Sequence, residues 1–312
     1  MSGYLLSALQ VLLVAVGGLL LTGVMAKVRA RAEGRVGAPV TQPLREVAKW
    51  LTRESPRAGG ASVLAAVPYV LLVTTGLAAA VVPLAGVVTA GSSGADVLIA
   101  VFLLLTGSLA LALGGLATGT AFGGMGASRA MTLSALTEPA LLVGLAALAV
   151  PQRSMNLATL LRHAVAHPTG MASPSHVLAV ASLLVVVIAE TGRLPVDNPS
   201  THLELTMIHE AMVLEYGGRD WALLSLGQAM RLGLLFSLLA TLAVPWGVAT
   251  SGAALPVLVG VVLLGAKAAV LATGVALIEV RSAKLRLFRV PELLAAAFVL
   301  AILAVVVGVV AR

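Results

Sequence analysis

Apolar residues run through this chain in long blocks, and polar residues fall almost wholly between them. Hydropathy and turn signals mark eight apolar runs, roughly 4–26, 61–84, 96–118, 130–150, 175–194, 221–246, 254–280 and 291–311. Each exceeds the ~18 residues a helix needs to cross a bilayer. The pattern predicts an all-α polytopic membrane protein of about eight transmembrane helices, with residues 1–312 forming a single integral membrane domain. Three stretches interrupt it: an amphipathic loop at 27–60, an acidic loop helix at 191–220 and a basic loop at 281–290. The first run lacks a small-residue cleavage pattern before its basic flank, so it reads as a retained helix and not a secretory signal.

Within the first loop, "TQPLREVAKWLTR" places Leu44, Val47, Ala48 and Leu51 on one helical stripe beside Arg45, Lys49 and Arg53. With Trp50 beside it, this predicts a helix lying at the membrane interface, where it also offers a platform to a partner. "GTAFGGMGAS" is glycine-rich but follows no strand, and is expected to be a loop and not a phosphate cradle. No repeat of 20–50 residues and no paired Gly/Pro-broken spans are visible, which speaks against an inverted-repeat transporter.

Composition sharpens this picture. Hydrophobic residues make up 59% and charged residues 11% of the chain, with mean hydropathy +1.05, far from the range of soluble domains. The net charge of +7 suggests nucleic acid until the basic residues are placed. Fifteen of them, mainly Lys27 to Arg57 and Arg281 to Arg289 with Arg129, Arg193 and Arg219, fall on one side, against Arg153, Arg162 and Arg312 on the other. The positive-inside rule makes the first side cytoplasmic, so both termini face outward and the charge reports a multi-pass topology in the cell membrane. The lipid bilayer is then the surrounding partner and nucleic acid is not one. With no cysteine, the chain cannot ligate thiolate-bound iron–sulfur clusters or a cysteine-held nickel, so no cofactor is expected in it.

Four charges lie inside or at the end of apolar runs: Glu138, Arg231, Lys267 and Glu279. At a helix centre each costs about 3 kcal/mol on insertion scales, so they should face protein or water, either pairing between helices or serving ion passage. Pro139, next to Glu138, frees a carbonyl one turn earlier and favours a hydrated pocket there. The histidines sit in loops or at span ends, unlike haem ligands buried in facing helices.

The stretch 189–220 holds six of the thirteen acidic residues: Glu190, Asp197, Glu204, Glu210, Glu215 and Asp220. A capping box from Thr201 to Glu204 predicts a helix running to about Tyr216. At 100° per residue Glu204 and Glu215 would lie about 20° apart, between apolar stripes, so the helix is expected to be buried with its acids facing a shared cavity. Carboxylates in such surroundings are expected to have raised pKa values and to exchange protons near neutral pH. The structural alternative is that they pair with Arg193, Arg219 and the basic loops.

"ETGRLPVDNPSTHLELTMIHEAMVLEY" resembles the signature of the membrane-anchor subunit of formate hydrogenlyase and related membrane-bound nickel–iron hydrogenases, a family homologous to subunit 1, the H subunit, of respiratory complex I. "EGRVGAPVTQPLREVAKWL" and "AKLRLFRVPELL" resemble that family's first and last cytoplasmic loops, so the resemblance covers nearly the whole chain. It implies a subunit that joins a redox arm to the membrane arm. Its partners would be hydrogenase large and small (iron–sulfur) subunits, which carry the nickel–iron centre and the iron–sulfur clusters, and antiporter-like membrane subunits. By position, Arg35 would lie near the chamber and Arg193 at the docking surface, while Glu138, Glu190, Asp197, Glu204 and Glu215, with His209 and Glu210 nearby, would form a chain for protons or sodium. Ser200 and His202 stand where the quinone-type pattern has acids, and three extra residues precede Glu215. These departures favour the hydrogenase branch. The alternatives are the quinone-chamber subunit of an NADH–quinone oxidoreductase, with a quinone as ligand, and a passive anchor.

Overall fold

The computed structural model describes residues 3–55, 62–87, 89, 91–197 and 207–310. The described residues form helices joined by turns, with no strand among them beyond isolated bridges. In chain order the helices are α1 (Gly3–Ala32), α2 (Gln42–Leu51), α3 (Ser62–Val81), α4 (Val97–Ala117), α5 (Ala121–Ala149), α6 (Leu157–Ala166), α7 (Pro174–Glu190), α8 (His209–Val213), α9 (Gly218–Ala243), α10 (Ala254–Arg281) and α11 (Val290–Val310). Seven are long and apolar enough to span a bilayer. The remaining expected span, 175–194, is the 17-residue α7, which ends where Gly192 turns the chain at φ 59°.

Side chains set the helix starts. Asp96, Thr120, Asn156 and Ser173 each accept a hydrogen bond from a backbone N–H in the following turn, at 2.7, 3.1, 3.0 and 3.3 Å. The Thr120 cap starts α5 nine residues before the predicted span, so most of the glycine-rich stretch expected to be a loop is helix. Small residues are needed there: a Cβ on Gly126 would lie 2.8 Å from that of Ala211 and 3.0 Å from the Ile208 carbonyl. α5 thereby packs closely on α8.

α9 forms the centre of the bundle, against α1, α2, α3 and α10, while α5, α7 and α11 pack on one another. At the α1–α9 crossing a Cβ on Gly18 would sit 2.0 Å from the Ala229 carbonyl oxygen, so the two backbones touch. The α2 stripe does not simply face the membrane interface. Val47 is buried and clusters with Leu19, Ala222 and Ala229, while Trp50 meets the edge of Trp221 with ring centroids 5.6 Å apart.

Towards the other end the backbone leaves helical form between apolar helices. Val87 N donates to Ala249 O at 3.0 Å and Ala249 N to Ala85 O at 2.9 Å, joining the segments after α3 and α9. Gln10 from α1 donates to the carbonyls of Ala79 and Val82 and accepts from Leu84 N at 3.2 Å. Such internal satisfaction is what non-helical backbone requires away from water.

Candidate functional site

α1, α4, α5, α7, α8 and α9 enclose a cavity of ≈ 410 Å³, with Pro43, Glu46 and Val47 of α2 along one wall. Its lining is mainly apolar near Leu71, Leu111 and Met212, and polar where Arg29, Thr137, Glu190, Arg193, Asp197, His209, Glu210 and Arg231 converge. It lies at the end of the bundle that carries the basic loops, since Arg29, Arg193 and Lys284 all make ion pairs in that region.

The interior charge is organised by Arg231. Its Nη2 donates to Glu190 Oε2, its Nη1 donates to the Leu104 carbonyl at 3.0 Å, and the Thr137 hydroxyl donates to Glu190 Oε1. The pair joins α9 to the last residue of α7, both side chains being at most one-tenth exposed. Glu138 is buried behind this pair with Oε1 lacking a hydrogen-bond partner, and Glu190 and Arg231 are the charges it faces. Of the expected interhelical pairings among Glu138, Arg231 and Lys267, none forms: Arg231 takes Glu190, and Lys267 donates to the carbonyls of Val244 and Trp246 at 2.8 and 2.9 Å.

A second ionic node lies beside the cavity and shares Arg29 and Arg193 with its lining. Glu279, fully buried at the end of α10, lies 3.5 Å from Arg29 Nε and 3.9 Å from Arg193 Nη1. Burial pushes the Arg193 guanidinium down to about 10, against the pull of Glu279. Beyond it, Asp197 receives Lys284 Nζ at 2.7 Å and faces His209 Nδ1 at 3.3 Å, with His209 N also donating at 3.2 Å. Burial alone would raise the Asp197 carboxyl, but His209 and Lys284 outweigh it and hold it down at about 2. For this acid the expected raised pKa is reversed, because Lys284 and His209 both hydrogen-bond to it and outweigh its burial.

Glu190, Arg193, Asp197, His209, Glu210 and Arg231 thus share one cavity, with Glu138 and Glu279 adjoining it. Glu215 does not. The helix ends at Val213, Tyr216 N turns back to Val213 O at 3.0 Å, and Glu215 is left exposed, so the expected helix to Tyr216 is cut short. Glu204, like the capping box from Thr201, lies outside the described residues. Arg35 pairs with exposed Glu33 and lines a neighbouring cavity of ≈ 370 Å³ that shares Arg29 with the first. Two partners were invisible to sequence reasoning, Thr137 and Arg29, while the Asp197–Lys284 pair is the alternative in which acids of this stretch pair with the basic loops. The signal for Thr137 was its place beside Glu138; Arg29 entered the sequence reading only as a charge that sets topology. Among the described residues no group of three or more His, Cys, Asp or Glu is arranged to hold a metal.

A family model described as "NADH dehydrogenase" matches residues 5–310. The chain belongs to that family. Within it, the chain is 31% identical over 292 residues to formate hydrogenlyase subunit 4 of Escherichia coli (strain K12), covering 92% of each protein. Hydrogenase-4 component C of the same organism is 30% identical over 233 residues, covering 73% of this chain and 71% of that protein. A chain in the structure of the membrane-bound sulfane sulfur reductase, an archaeal respiratory membrane complex, shares the fold at TM-score 0.82 and 18% identity, covering 97% of this chain and 98% of that one. Membership in the NADH dehydrogenase family fits the polytopic fold, and these relatives are components of multisubunit complexes.

Proposed function

We propose that this chain is the membrane subunit of a formate hydrogenlyase-like, membrane-bound hydrogenase complex in the cell membrane. It docks a soluble redox arm at its basic, cytoplasmic end and couples electron transfer there to movement of protons or sodium. The observation that carries this reading is the cavity at that end, in which Glu190 and Arg231 form a buried pair beside buried Glu138, whose Oε1 has no hydrogen-bond partner. A charge or shape change at the Asp197–His209–Lys284 wall would reach Glu190 through the cavity. It would shift the balance between Glu190 and Glu138, two carboxylates with one guanidinium to share. The nickel–iron centre and iron–sulfur clusters would reside in hydrogenase large and small subunits, since this chain has no cysteine to hold them. Antiporter-like membrane subunits would continue the ion path.

The test is purification of the assembled complex from native membranes, followed by H₂-linked proton uptake in inverted vesicles. Nickel and hydrogenase subunits should co-purify, and Glu138→Gln, which breaks no ion pair, should lower ion uptake while assembly and electron transfer persist. Full uptake in the assembled variant would leave a passive anchor. A co-purifying NADH module with bound quinone would favour the quinone-chamber alternative.

A further inference from the structure

Lys267 is the one charged residue of α10 between Ala254 and Ile278. At 1.5 Å per residue it lies roughly 20 Å from either end of the helix, well inside a hydrocarbon layer ~30 Å thick. Leu258 and Val262 on one side of it and Val270 on the other are 61%, 63% and 73% exposed, so the outward face of α10 is apolar above and below the cation. The ammonium has three N–H donors, and the structure gives it two acceptors, the carbonyls of Val244 and Trp246 just past the end of α9. The side chain is only partly buried, and among the described residues no third acceptor meets it.

A second observation is independent of the charge. The segment following α9 is non-helical, and Val244 and Trp246 in it are 37% and 63% exposed. Gly247, at φ 79°, sets this backbone against Leu263, one turn of α10 from Lys267. The backbone of this segment is met by Lys267 and by the segment after α3, so what it leaves open is apolar and aromatic side-chain surface beside the cation.

We infer that the α10 face around Lys267 is an interface inside the membrane, covered by a membrane-spanning helix of another subunit that sets an Asp or Glu carboxylate against the Lys267 ammonium. Acyl chains supply no acceptor for the third N–H. A second copy of this chain, meeting the first across a two-fold axis at this face, would set Lys267 against Lys267, which like-charge repulsion opposes. A carboxylate on a foreign helix satisfies the donor and neutralises the charge together. The inference needs only that the chain spans a membrane, and it would stand if the hydrogenase reading failed.

The experiment places a photo-activated cross-linking amino acid at Val262 or Val270 in the otherwise wild-type complex, in native membranes. The expected product joins this chain to an identified integral membrane subunit, through a peptide from a span that contains Asp or Glu. Lys267→Met should lower the yield of that product by at least about tenfold, as when one partner of a buried charge pair is removed. Lys267→Arg should retain it. Cross-linking to lipid alone, to a second copy of this chain, or to a span without a carboxylate overturns the inference. So does an unchanged yield in a folded Lys267→Met complex. If Lys267→Met fails to accumulate, the wild-type cross-link and its mapped peptide still decide.

Discussion

Arg231 of α9 and Glu190 at the end of α7 form a buried ion pair on the wall of the main cavity, and Thr137 completes the coordination of the carboxylate. Neither α7 nor α9 could keep its charge at this depth alone, so the pair also fixes how the two helices meet. Removing one partner strands the other. Arg231→Met is expected to lower stability by about 3 kcal/mol, the cost typical of an uncompensated buried charge. The double variant Arg231→Met/Glu190→Gln should recover a large part of it. Thermal unfolding of the purified protein in detergent compares Arg231→Met, Glu190→Gln and the double variant with wild type, and a double variant no better than the worse single variant would show that the pair is not the source of the cost.

Asp197 supports a prediction with a definite sign. Its folded-state value, about 2, lies below its ordinary value of 3.8. Its stabilisation is therefore fully present above pH ~4 and is lost as pH falls toward 2, amounting to roughly 2 kcal/mol. In a His209→Ala background, where Lys284 is the remaining partner, Asp197→Asn should cost a near-constant amount between pH 5 and 8, with the gap to the parent closing only under strong acid. Melting curves across that range measure it. With the imidazole removed, a gap that changes steeply between pH 5 and 8 would mean that Asp197 titrates there and does not serve as a fixed anion for Lys284.

The backbone approach at Gly18 supports a packing prediction. α1 and α9 frame the cavity through Leu19, Thr22, Gln228 and Arg231, and they touch where Gly18 meets the Ala229 carbonyl. Gly18→Val must separate the helices. Overpacking of this kind costs on the order of 1–3 kcal/mol or more, and it should widen the cavity and disturb Arg231. Gly17→Val is the control, since a Cβ there meets nothing within 4 Å. Equal melting temperatures for the two variants would contradict the crossing.

The spans were legible because some twenty consecutive apolar residues leave few other structures open to a chain. Arg231 was legible as an intramembrane charge for the same reason. Its partner was not, since the choice between Glu138 and Glu190 depends on how α7 and α9 pack, and periodicity says nothing of that. The glycine-rich stretch before Arg129 misled because composition weighs glycine as a helix breaker. In the fold, each close glycine is compensated by tight packing on α4 or α8. Glu215 misled for the opposite reason: a capping box and a favourable helical wheel describe a helix that could form, while the chain turns at Val213 before reaching it. Family resemblance named a set of acids in and near this loop but could not say which of them face the cavity.

Gly192 tests whether the turn after α7 positions His209. It has φ 59°, where an L side chain is strained, and a Cβ there would lie 2.7 Å from His209 Nδ1, the atom facing Asp197. Gly192→Ala therefore carries two costs: backbone strain of about 1 kcal/mol and displacement of the imidazole from the carboxylate. The second cost requires the imidazole to be present. Measured by unfolding, Gly192→Ala should be markedly more damaging in the wild-type background than in His209→Ala, where only the strain remains. Equal costs in the two backgrounds would mean that the turn does not act on His209. A larger cost in wild type would tie the end of α7, and with it Glu190, to the Asp197–Lys284 wall where a partner's movement would first be felt.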